Sequence, residues 1–135
     1  ELAYAEREAH VVRYKHLRDM LISGILAHVS DSELSGHPDQ RMPSHASFVF
    51  EGVDSAKLLM HLDLKGIAAS GGSACKTGNP EPSGVLLAMG YTEKQAIGSL
   101  RLTVGKWTTE EEIEYALPII IETVEKVRKL SRMFA

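Results

Sequence analysis

Residues 99–113 read Ser99-Leu100-Arg101-Leu102-Thr103-Val104-Gly105-Lys106-Trp107-Thr108-Thr109-Glu110-Glu111-Glu112-Ile113, and within them the side-chain period changes. In the first six positions Leu100, Leu102 and Val104 point one way while Ser99, Arg101 and Thr103 point the other, the alternation of a half-buried strand. Arg101 falls on the face turned away from the core. Past Gly105, Thr109 and Glu112 have the spacing of a capping box, and Ile113, Leu117, Ile120, Val124 and Val127 recur at four- and three-residue steps. That is the apolar stripe of a long helix. Acidic residues at 110–112 and basic Lys126, Arg128, Lys129 and Arg132 toward its end suit the helix dipole, and Pro118 inside it predicts a kink.

Working outward, Ala46, Phe48 and Phe50 alternate with Ser47 and Val49, which predicts a second strand ending at Gly52. Asp54 can cap a short helix through Leu64, striped by Leu58, Leu59 and Leu62 and closed by Gly66, with a brief strand at 67–69 beyond it. Ser83 can cap another helix through Met89, closed by Gly90, and Thr92 with Gln95 forms a second capping box. Near the start, Leu2, Ala5, Ala9, Val12, Leu17, Met20 and Leu21 keep helical period, so an amphipathic helix opens the chain and ends near 24–28. Ser35-Gly36-His37-Pro38 and Pro43 mark an irregular connection. The expected class is α+β: a small mixed or antiparallel sheet including 46–51 and 99–104, packed against long N- and C-terminal helices.

At 135 residues the chain is one domain's worth, and 44% hydrophobic with 24% charged residues is the balance of a folded globular protein. A net charge of −3 with scattered lysines and arginines does not make the concentrated basic surface that nucleic acid requires. No apolar run reaches the roughly 20 residues that cross a bilayer, so no membrane partner is expected. The single cysteine rules out an internal disulfide framework and fits a reducing, cytoplasmic setting. The histidines, at 10, 16, 28, 37, 45 and 61, never take the four-residue helical spacing of a zinc motif, and no metal is expected. His45 and His61 read as structural. The absence of an initiator methionine before Glu1 suggests an excised piece of a longer protein.

Between the strand expected at 67–69 and the helix capped by Ser83 runs Ser70-Gly71-Gly72-Ser73-Ala74-Cys75-Lys76-Thr77-Gly78-Asn79-Pro80-Glu81-Pro82, with three glycines, two prolines and no apolar periodicity. Connections this long without structure of their own are usually functional. A lone cysteine is most often a small buried hydrophobe, but nothing here provides for burying Cys75, and the Lys76 ammonium beside it favours the nucleophilic thiolate. Arg101 can hold a carboxylate bidentately or be an ordinary solvated arginine. Cys75-Lys76-Thr77 does not make a phosphate-binding loop, since a cysteine stands where glycine is required.

Ser-Gly-Gly-Ser-Ala-Cys at 70–75, Glu-Pro-Ser at 81–83, Val-Leu-Leu-Ala-Met-Gly at 85–90, Ser-Leu-Arg-Leu-Thr-Val-Gly at 99–105 and Thr-Thr-Glu-Glu-Glu-Ile at 108–113 follow one another in order. Together they resemble the C-terminal part of group I cysteine desulfurases, pyridoxal-phosphate enzymes of the class V aminotransferase group. Gly36-His37-Pro38, Arg41-Met42-Pro43 and Ser47-Phe48-Val49-Phe50 extend the likeness toward the N-terminus. The resemblance implies that residues 1–135 are the C-terminal small domain of a fold-type I enzyme that converts L-cysteine to L-alanine. It makes Cys75 the catalytic residue that takes the substrate sulfur as a persulfide, with the cofactor acting as electron sink. It makes Arg101 the residue that grips the substrate carboxylate. Gly71, Gly72, Ser73 and Gly78 become the flexible loop that carries the sulfur to an iron–sulfur scaffold or other acceptor protein. A homodimer is implied, and group II enzymes carry a shorter cysteine loop.

Two departures stand out. The cofactor lysine of the family typically follows a histidine, whereas the lysines here, at 15, 57, 65, 76, 94, 106, 126 and 129, never form a His-Lys pair. No cofactor-binding residue is therefore assigned in this chain; the large cofactor domain is expected to be absent, and this piece alone to be inactive. Pro43-Ser44 also replaces a proline-asparagine pair common in the family. A selenocysteine lyase-like relative, and a non-enzymatic binding or oligomerisation module, stay open at this level.

Overall fold

The computed structural model of the chain describes residues 6–72 and 81–133. Eight elements run in the order α1 (Arg7–His28), β1 (Ser32–Leu34), β2 (His45–Phe50), α2 (Ser55–Asp63), α3 (Gly84–Ala88), α4 (Glu93–Ile97), β3 (Ser99–Thr103) and α5 (Glu110–Met133). The three strands form one antiparallel sheet in the order β1-β2-β3. This is the expected α+β arrangement, with the sheet between its long helices and a smaller pair.

Pairing of Phe48 with Leu100 and of Ala46 with Leu102 puts the apolar members of β2 and β3 on one face. There, with Phe50, they meet Leu17, Leu21 and Ile25 of α1, Leu58 and Leu62 of α2, and Ile113, Ile120, Val124 and Val127 of α5, all buried. Phe48 and Phe50 stack with centroids 6.0 Å apart. The caps read from the sequence close the helices. The Asp54 side chain accepts from Ala56 N and Lys57 N, Ser83 accepts from Leu86 N, and Thr92 and Gln95 make the reciprocal box. Helix α5 continues through Pro118 without a break.

Several expectations are corrected by packing. The opening helix buries Leu17, Leu21 and Ile25, while Ala9 and Val12 upstream are exposed, because the described residues place nothing over that part of the stripe. β1 was not expected: three residues of mixed polarity carry no period of their own, and pairing with β2 makes them a strand. No strand forms at 67–69; only Ser70 pairs, as a single bridge to Arg101. The sheet's second face is not open throughout. Val49 lies under Leu86, Ala96 and Tyr91 of the α3–α4 unit, and the Tyr91 hydroxyl donates to Glu33 Oε1 at 2.9 Å. Burial, then Glu33, raises the Tyr91 phenol to about 12, so it stays a donor.

Two arginines are buried. Arg128 donates to Glu51 O at 3.0 Å and Ser30 O at 2.7 Å and pairs with Glu125 at 2.6 Å, which ties the end of α5 to the turns after α1 and β2. Arg18 is held by Asp19 at 2.7 Å. Of the described glycines, Gly98 leaves the least room for a Cβ. Its carbonyl accepts from Phe50 N at 2.8 Å, and a Cβ there would stand 2.1 Å from Phe50 O.

Chemical denaturation checks both features. Gly98→Ala is expected to cost at least about 3 kcal/mol, because backbone rather than a movable side chain blocks the new methyl. Arg128→Ala is expected to cost about 2–4 kcal/mol, since it removes the charged hydrogen bonds and the packed stem of a buried side chain.

Candidate active site

The register that builds the core also builds the site. With Phe48 and Leu100 facing inward, the alternate residues His45 and Ser47 of β2 and Arg101 and Thr103 of β3 share the reverse face, Ser47 opposite Arg101 and His45 opposite Thr103. Arg101 is exposed there, as its position in the alternation requires. Its backbone N donates to Ser70 O at 2.6 Å and its Nη2 to Ser70 Oγ at 2.8 Å.

From Ser70 the chain is pinned for two more residues. Gly72 N donates to Ser99 Oγ at 2.8 Å, and Ser55 Oγ donates to Ser99 O at 2.7 Å. These contacts bury Ser99, a residue that the alternation alone assigns to solvent. A Cβ on Gly71 would lie 2.5 Å from Ser55 Oγ, and one on Gly72 2.8 Å from Ser99 Oγ and 3.1 Å from Ser83 Cβ. The two glycines thus allow the backbone to approach β3 and α2 closely, a packing role where the sequence suggested flexibility. Gly72 and Ser83, on either side of 73–82, nearly touch. Ser73, Cys75, Lys76 and Gly78 lie outside the described residues.

Two cavities flank Arg101. One, of about 370 Å³, is lined by Ala68, Ala69, Ser70 and Thr103, the other, of about 360 Å³, by Ser35, Arg41, Ser47, Gly72 and Ser83 among others. Arg101 and His45 line both. Arg41 is anchored by its Nε to His37 O at 2.9 Å and by Nη2 to Ser35 O, while its buried Nη1 has no partner among the described residues. The Ser35 hydroxyl donates to Ser47 Oγ at 2.7 Å. Burial, then the charges of Arg41 and Arg101, lower the His45 imidazole below its usual 6.5, so it is neutral at neutral pH. Sequence reasoning set His45 aside and gave Arg41 no role of its own. Neither could be found without knowing that β2 lies beside β3.

No carboxylate is found among the described residues lining either cavity. Two guanidiniums, serine hydroxyls and a neutral imidazole suit an anion of carboxylate size. The same linings contain no lysine and no acid to hold a pyridine nitrogen, so they do not fit pyridoxal phosphate as its anchoring site. A larger cavity of about 650 Å³ lies between Asp31, Glu51, Lys57, Lys94 and Arg132. There Lys94 pairs with Glu51 at 3.6 Å and Lys57 with Asp54 at 3.9 Å, which leaves little net charge to select a ligand. Among the described residues no His, Cys, Asp or Glu cluster could hold a metal, and no helix is long and apolar enough to cross a membrane.

Known proteins share this architecture. The chain is 38% identical over 131 residues to a cysteine desulfurase IscS of Dictyoglomus turgidum, with 97% of this chain and 33% of that one aligned. It is 41% identical over 131 residues to the IscS of Methanosarcina thermophila, with 97% and 32% aligned. A solved NifS-like protein superposes with a TM-score of 0.78 at 26% identity, over 93% of this chain and 31% of that one. A NifS-like protein from Rickettsia africae has the same fold, with a TM-score of 0.71 at 22% identity over 85% of this chain and 29% of its own. The chain spans about a third of the curated relatives it matches. Because residues 3–116 match the aminotransferase class-V family, and the fold agrees, the chain belongs to that family.

Proposed function

We propose that residues 1–135 are the small domain of a cysteine desulfurase, in which Cys75 takes sulfur from L-cysteine and Arg101 holds the substrate carboxylate. The observation that carries this reading is the position of Arg101, between two cavities free of described carboxylates and hydrogen-bonded to the first residue of the cysteine loop. Cys75 follows Gly72, a residue in the wall of the cleft, by three positions in the sequence. The likeness to proteins named cysteine desulfurase supports the substrate.

On this reading Arg101 receives the carboxylate and turns the substrate's sulfur toward the loop. The thiolate of Cys75 attacks that sulfur; an S–S bond forms, the substrate's C–S bond breaks, and its electron pair stays with the carbon skeleton, which is protonated to alanine. Pyridoxal phosphate, held by residues outside this chain, supplies the electron sink that makes the C–S bond breakable. The persulfide then passes to an iron–sulfur scaffold or another acceptor. A homodimer working in the cytoplasm is part of the same proposal, supported by family likeness and by a lone thiol suited to a reducing compartment.

In the full-length protein, Cys75→Ala is expected to abolish sulfide release while the cofactor's absorbance persists; sulfide release that survives would remove Cys75 from the mechanism. Arg101→Ala is expected to raise KM for L-cysteine by about 10- to 100-fold, the loss of a charged hydrogen-bonded contact worth about 1.5–3 kcal/mol. The electrostatics has its own check in an NMR pH titration of this chain. His45 is expected to gain its proton below 6.5. Arg41→Gln or Arg101→Gln should raise that midpoint, since each removes a positive charge that opposes the imidazolium.

A further inference from the structure

Ser70 is joined to Arg101 in two independent ways. The main chains bridge in both directions, Arg101 N to Ser70 O at 2.6 Å and Ser70 N to Arg101 O at 3.2 Å, so the position of Ser70 does not depend on its side chain. The exposed hydroxyl does separate work: it accepts from Arg101 Nη2 at 2.8 Å and donates to Gly71 O at 3.3 Å. A guanidinium offers five N–H donors in a rigid plane, and fixing one fixes the direction of the other four. Without such a partner, a long side chain on an exposed strand face samples many rotamers, and a ligand must order it on binding.

The geometry points to Ser70 as a positioning residue for Arg101, its hydroxyl holding the guanidinium so that the remaining N–H groups take the carboxylate of an amino-acid substrate. This rests on the assignment of Arg101 to that carboxylate. The hydroxyl opposite Arg101 in register is otherwise engaged: Ser47 accepts from Ser35 at 2.7 Å. Because the Ser70 hydroxyl donates its hydrogen bond to Gly71 O, it links the substrate clamp to the first glycine of the cysteine loop.

The test is kinetic and spectroscopic. In the full-length protein with cofactor bound, Ser70→Ala should raise KM for L-cysteine about five- to tenfold and change kcat by less than about twofold, the signature of a weakened charged hydrogen bond acting on binding. Ser70→Thr, which keeps the hydroxyl, should restore KM, and Ser70→Ala added to Arg101→Ala should raise KM no further. An unchanged KM in Ser70→Ala, or an equal effect of Ser70→Ala when Arg101 is already alanine, overturns the proposal. In parallel, ¹⁵N relaxation of the Arg101 Nε–H in this chain should show a lower order parameter in Ser70→Ala than in wild type. If the wild-type protein releases no sulfide from L-cysteine, the desulfurase reading falls; the relaxation then decides Ser70 by itself, unchanged order overturning it.

Discussion

The pairing of β2 with β3 is the constraint on which the rest of the molecule depends. Its register decides that Phe48 and Leu100 meet in the interior, and the same choice sends Ser47 and Arg101 to the opposite face. A slip of one residue would exchange the two sets, exposing the apolar core residues and burying an arginine against α1 and α5. The burial of the aromatic and aliphatic side chains therefore holds the candidate site in place, although none of those side chains lies in it. Gly98 locks the register from one end, where its carbonyl binds Phe50 N and its missing side chain lets the two backbones meet.

What was legible in the sequence were features whose cause is local. Caps at Asp54, Ser83 and Thr92, the stripe of α5 and the alternation of β2 and β3 each show within a few residues, because the hydrogen bonds or periods that define them are short-range. The exposure of Arg101 followed from alternation alone. β1 could not be read: a polar three-residue segment becomes a strand only because β2 offers it a free edge. Ser99 obeyed the alternation in direction but not in exposure, since Ser55 and Gly72, 44 and 27 residues away in the chain, cover it. Glycines 71 and 72 looked like sources of freedom, and the described backbone shows them as sites of close approach.

Three arginines show why residue type is a poor guide to role. Arg128 looked like one member of a basic helix end, and Arg18 was assigned no role from the sequence, yet both are buried among partners that meet their donors. Arg101 alone was singled out, and it is the exposed one. A buried arginine whose donors are met by nearby carbonyls and carboxylates fastens secondary elements together and has little left to offer a ligand. One on an open strand face, tethered at a single nitrogen, keeps its direction and still has donors to give. Sequence cannot separate these cases, because the partners of Arg128 at Ser30 and Glu51 are 98 and 77 residues away.

The sheet thus divides its labour by face. Stability comes from the apolar side, where α1, α2 and α5 close over β2 and β3; among the described residues, the apolar cluster on the reverse side is where Val49 meets Leu86, Ala96 and Tyr91. Toward β3 its side chains are hydroxyls, an imidazole and a guanidinium, with the Glu33 carboxylate at the β1 edge, groups whose solvation would be lost at a cost if they were packed against hydrocarbon. Leaving them beside open cavities avoids that cost and keeps their donors available. The lowered proton affinity of His45 follows first from its partial burial and then from the same crowding, since a third positive charge beside Arg41 and Arg101 would be opposed by both. A face built in this way keeps the donors of Arg101 available to an anion, and the core behind it need not rearrange to receive one.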